Sequence, residues 1–117
     1  MNEIKFDAGA NNVLMCPVCN SENPHHEGVT VFDRAEDAAV IKVTEVSDGR
    51  ALSRAVPERV AGNPSSRRDA LAVRFSCEQC PNISELTIVQ HKGSTYLAWR
   101  HVGTRSYADA FGPVAAL

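Results

Sequence analysis

Leu71-Ala-Val-Arg-Phe-Ser-Cys-Glu-Gln-Cys-Pro81 carries two signals at once. Leu71, Val73 and Phe75 alternate with Ala72, Arg74 and Ser76, the period of two that a half-buried strand imposes on its side chains. That strand runs straight into Cys77-Glu-Gln-Cys80, and the same spacing occurs upstream in Cys16-Pro-Val-Cys19, approached by the apolar Val13-Leu-Met15. One C-x2-C turn presents two sulfurs to a single ion, and two such turns complete a tetrahedron. Cys16, Cys19, Cys77 and Cys80 are the four cysteines of the chain. No odd thiol and no open coordination position is left, so the pattern predicts one structural Zn2+ rather than a catalytic metal. Iron at a four-thiolate site is chemically allowed as well, and sequence does not separate the two.

Other uses of paired cysteines are less well served. Two disulfides need an oxidising compartment, whereas the N-terminus Met1-Asn-Glu-Ile-Lys-Phe-Asp-Ala-Gly-Ala10 lacks the basic-then-apolar layout of a signal peptide. No apolar run approaches the ~20 residues of a membrane helix, so a cytoplasmic protein with reduced thiols and no membrane partner is expected. A redox C-x-x-C needs a strand-to-helix setting, and both pairs here have strand-like flanks.

Working outward, Gly28–Asp33 and Ala39–Val46 read as a hairpin with a short link, the second strand setting Ile41 and Val43 against Lys42 and Thr44. After the second cysteine pair, Glu85–His91 and Ser94–Arg100 flank Lys92-Gly93. This is the strongest hairpin signal in the chain, because Gly93 supplies the positive φ of a tight turn. Residues 47–69 hold Asp48-Gly49, Pro57, Pro64 and five arginines, and are expected to form an arginine-rich loop, with a turn of helix around Ala51–Val60 as the alternative. Residues 1–11 are expected to be a flexible leader and 104–117 a tail in which Phe111 and Val114 dock on the sheet or on a second subunit. The expected fold is a single mainly β domain over 1–117: an antiparallel sheet of five or six strands bearing two metal knuckles with a long insertion between them.

On its two Cys-x2-Cys knuckles, each led by a strand and the second followed by a hairpin, the chain resembles the zinc-ribbon group. In such knuckles the residue after the second cysteine is often Gly. Asn20 is an acceptable substitute because it tolerates the left-handed conformation, but Pro81 has a fixed φ and no N–H. The 57 residues between Cys19 and Cys77 also exceed the roughly 15–20 of the compact pattern, so the insertion must carry structure of its own. The stretches Cys16-Pro-Val-Cys19, Asn63-Pro-Ser-Ser-Arg-Arg68 and Val89-Gln-His-Lys-Gly93 further resemble small uncharacterised zinc-ribbon proteins of actinobacteria and their phages, a resemblance that implies no activity.

Lys plus Arg number 12 against 14 Asp plus Glu, which does not advertise a nucleic-acid or membrane binder. The distribution is uneven. Residues 1–46 carry three basic side chains against eight acidic ones, whereas 47–69 carry Arg50, Arg54, Arg59, Arg67 and Arg68 against three acids. Those arginines offer guanidinium forks to phosphates; the plainer reading is a solvated loop with local ion pairs. His25, His26 and His91 lack the spacing of a second metal site and read as surface residues, with His25 and His26 over the first knuckle. Phe32, Phe75, Tyr96 and Trp99 suit a sheet core better than a base-stacking platform. The expected role is non-catalytic binding: a regulatory module that contacts nucleic acid or the transcription apparatus through 47–69. Alternatively it is a protein-interaction or homo-oligomerising adaptor for a host or regulatory protein, or, third, a metal-assisted hydrolase.

Overall fold

A computed structural model describes residues 3–7, 9 and 12–105. Six strands, β1 (Pro24–Asp33), β2 (Val40–Ser47), β3 (Arg50–Pro57), β4 (Ala70–Cys77), β5 (Asn82–His91) and β6 (Ser94–Thr104), build one sheet, with a single helical turn α1 (Glu58–Ala61). Their spatial order is β3-β2-β1-β4-β5-β6, and every neighbour is antiparallel. The mainly β antiparallel class expected from the sequence is therefore the observed one.

The sheet is two three-stranded meanders laid edge to edge. Within each meander the strands are joined by hairpins, and two of the turns are of the kind that right-handed strand twist favours. Asp48-Gly49 closes β2 onto β3 with φ of 52° and 76°, and Lys92-Gly93 closes β5 onto β6 with φ of 50° and 83°. The meanders meet along β1 and β4, which pair from Pro24↔Cys77 to Phe32↔Ala70. This is the one join among the named strands made by residues far apart in the chain, so no turn helps to form it.

The arginine-rich loop expected over 47–69 is corrected: β3 and α1 occupy most of it. Asp-Gly after a strand is a hairpin turn, and β3 then pairs with β2 over its whole length, from Ser47↔Arg50 to Val40↔Pro57. Its apolar alternation is weak because it is the sheet edge, where only Val56 is even partly covered. Pro57 ends the strand, and Gly62 at φ 76° ends the helical turn. The leader also differs from expectation in its described part: Asp7 N–H donates to Val13 O at 2.8 Å and Met15 N–H to Lys5 O at 3.0 Å, around a Phe6↔Leu14 bridge. Of the expected tail, Thr104 ends β6, and Phe111 and Val114 lie outside the described residues.

The register sorts the side chains onto two unlike faces. On one, Phe32, Ile41, Val43, Ala70 and Ala72 form the buried core, with Val56, Ala61 of α1 and Val89 packed against it. The same face carries Glu45, Arg54, Arg74, Glu85 and Arg100, since these share strand parity with the core residues. The opposite face presents Val29, Val31, Leu71, Val73, Leu86, Ile88, Leu97 and Trp99. Trp99 is buried, edge-on to Phe75 with ring centroids 5.4 Å apart, and Phe32 is in the core; Tyr96 is exposed.

Candidate metal centre

The β1–β4 join brings the two cysteine pairs together. Cys77 is the last residue of β4 and faces Pro24, the first of β1, while Cys16 and Cys19 lie just before β1. The four sulfurs lie within 4.8 Å of one another. Cys16 Sγ is 3.8 Å from Cys80 Sγ, and Cys19 Sγ is 3.6 Å from Cys77 Sγ. A tetrahedral ion with metal–sulfur bonds of about 2.3 Å sets its sulfurs about 3.8 Å apart, so the observed cage fits such an ion.

Both knuckles aim backbone donors at sulfur. Val18 N–H points at Cys16 Sγ at 3.5 Å and Gln79 N–H at Cys77 Sγ at 3.4 Å, the same two-residue offset in each turn. Asn20 has φ 61°, as expected of a Gly substitute, and its N–H reaches Cys16 O at 3.1 Å. Pro81 has no N–H to offer the second knuckle, and the acidifying influence of the backbone on Cys80 comes from Asn82, one residue beyond it, against the larger upward push of burial. Ser21 Oγ bridges the two halves at 3.2 Å from Cys77 Sγ.

The four thiols divide in their acidity. Hydrogen bonding from Ser21 draws Cys19 down to about 6, and burial pushes Cys80 up to about 12. Burial also raises Cys16; at Cys77 burial pushes upward but is outweighed by hydrogen bonds from Ser21 and from the Gln79 and Cys80 backbone, and the net direction is down. Four acidic groups in one cage cannot all ionise unaided, and a cation bound there would supply the missing positive charge.

Arg105 is a contributor that sequence reading passed over. Its guanidinium donates to Cys77 O at 2.7 Å and Cys80 O at 3.1 Å, while its own N–H bonds Pro81 O at 2.8 Å. The end of β6 is thereby fastened over the second knuckle. The histidines stay outside the cage: His25 pairs with Glu78, His26 stands edge-on to Phe75, and His91 lies beside Tyr96. The four cysteines form the one cluster of metal-ligating side chains among the described residues.

The arginines are distributed rather than converged. Arg67 binds Glu36 at 2.7 Å and Asp37 at 2.8 Å, Arg68 binds Glu36 at 2.6 Å, and Arg54 binds Glu45. The hydrogen bond from Arg67 holds the Asp37 carboxyl below its ordinary range. Arg50 starts β3 and Arg59 stands on α1, both exposed. No helix among the described residues is long and apolar enough to cross a membrane.

No protein-family model matches the sequence, and neither a curated protein nor a solved structure matches it.

Proposed function

We infer that the chain is a non-catalytic protein-interaction module of zinc-ribbon kind, held by one structural Zn2+ on Cys16, Cys19, Cys77 and Cys80 and working in a reducing compartment such as the cytoplasm. The observation that carries this reading is the division of the sheet into a charged face and an apolar one. Charged strand residues gather over the core side, while the other side offers aliphatic rows suited to another protein. A closed four-thiolate cage with no second ligand cluster among the described residues supports a structural metal. Engagement of Arg54, Arg67 and Arg68 by carboxylates weakens the case for phosphate contact, since a phosphate must displace those partners first.

Two measurements on the purified chain test the reading. Elemental analysis is expected to give close to one zinc per chain, and titration with single- and double-stranded DNA and RNA at low and high salt is expected to give no salt-dependent binding. An affinity falling steeply with salt would restore the nucleic-acid reading; bound iron, or metal near two equivalents, would overturn the structural-zinc one.

A further inference from the structure

The aliphatic face of the sheet is organised in rows, half-buried over most of their length and closed at the β6 end of one row by the buried Trp99. Strand pairing sets Thr44, Val31, Leu71, Ile88 and Leu97 side by side across β2, β1, β4, β5 and β6, and beside them Val46, Val29, Val73, Leu86 and Trp99. Nine of these ten side chains are apolar, and none is charged. No helix or strand among the described residues packs on them, since α1 lies against β2 and β3 over the core side. Leu71 is 37% exposed and Leu97 52%. An exposed edge explains one such residue, whereas two complete cross-strand rows are a face.

Resting on the interaction reading above, we propose that this face is covered by the same face of a second copy, so that two sheets stack as the halves of a β-sandwich. Size favours this occupant. The two apolar rows on five strands about 4.8 Å apart cover roughly 300 Å², and the whole strand face with its polar flanks roughly 600 Å², so two copies meeting over the full face would bury roughly 1,200 Å², with the apolar rows as its centre and a polar rim around them. Charge favours it too. On this side of the strands Asp33 and Lys42 are the acidic and basic side chains, paired directly with each other at one end, so identical faces meet without net like-charge repulsion. A partner recognised by charge would find its handles on the opposite face. Stacked sheets sit about 10 Å apart with strands about 30° from aligned, a separation that the Leu and Val side chains of two such faces fill.

Sedimentation equilibrium of the full, zinc-loaded chain over a wide concentration range is the test, beside a variant carrying Leu71→Glu and Leu97→Glu. The expected result is a mass twice the 12.7 kDa of one chain for the native protein, and dimer affinity weakened at least about a hundredfold in the variant, since two desolvated leucines are lost from each copy. The variant must still bind one zinc and keep its strand circular dichroism; if it does not, Leu97→Asn at the more exposed position replaces it. Arg54→Glu on the core side is expected to leave the mass unchanged. A monomer at every concentration, or a dimer indifferent to the face substitutions, overturns the proposal. So does a native monomer that becomes a dimer when truncated after Arg105, because the last twelve residues would then be the occupant. A monomer that holds one zinc and ignores nucleic acid sinks the dimer alone and leaves the interaction module standing with a different protein as its partner.

Discussion

Removing the metal should separate the two meanders. An ion held by the four cysteines would tie Cys19 to Cys77 across 57 intervening residues, and closing a loop of that length costs the unfolded chain about 4 kcal/mol of entropy on the cross-link model. A metal clip supplies that constraint in advance. For 117 residues, an unfolding entropy near 2.1 cal/mol/K per residue gives about 0.25 kcal/mol per degree, so the cross-link alone is worth a fall of roughly 15 °C in Tm. The thiolate–metal bonds add to this, and the apparent 10–16 kcal/mol of structural zinc sites matches or exceeds the whole net stability of an ordinary domain. Chelation, or Cys77→Ser, is therefore expected to abolish cooperative melting above room temperature. Hydrogen exchange should locate the damage: amides bonded between β1 and β4 lose protection first, because their partners lie 38 to 53 residues apart and no turn holds them. The β5–β6 hairpin keeps more of its protection for longer. Metal-free protein that melts cooperatively within about 5 °C of the metal-bound form, with β1 and β4 still protected, would refute this reasoning.

Two further perturbations probe the frame away from the metal. At the β5–β6 turn Lys92 holds φ 50°, a conformation that Asn adopts at lower cost, so Lys92→Asn should stabilise by about 0.5 kcal/mol and raise Tm by about 2 °C; Gly93→Val at φ 83° should lower Tm by several times that, and equal melting of the two variants counts against the assigned turn. Asp37 is acidified by its hydrogen bond with Arg67: the stability this gives is present above the ordinary carboxylate value of 3.8 and is lost as pH falls through the depressed one. Arg67→Ala should therefore move the Asp37 midpoint upward in an NMR titration, and an unmoved midpoint would show that the pair does not persist in solution.

Local chemistry made much of this molecule legible. The knuckles, the Asn20 conformation and the Lys92-Gly93 hairpin follow from spacing and φ preferences that act within a few residues. β3 was hidden because an edge strand need not alternate: Arg50-Ala-Leu-Ser-Arg-Ala-Val56 has little to bury, and its prolines and arginines read as loop text until Asp48-Gly49 is taken as a hairpin turn. Arg105 was hidden for a different reason. It caps carbonyls 25 and 28 residues away, and a lone arginine at a strand end carries no mark of such a contact. The strand order was equally silent, since the β1–β4 pairing depends on where the two cysteine pairs meet.

The aliphatic rows expose the limit of periodicity most clearly. Leu71, Val73, Leu86, Ile88 and Leu97 alternate as inward residues should, and the sequence reading counts such residues toward a core. They do face one way, but among the described residues no helix or strand is stacked there. A sheet buries its apolar face against another layer, and α1 with its four residues provides only a fragment of one, on the opposite side. The structural deficit therefore has two parts: a long-range join that hairpins cannot make, which a metal held by the four cysteines would fix, and a second layer that the helices and strands of the described residues do not supply. Alternation in a sequence reports which side of a strand avoids water; whether the same chain or another one covers that side is decided only by what remains to stack on it.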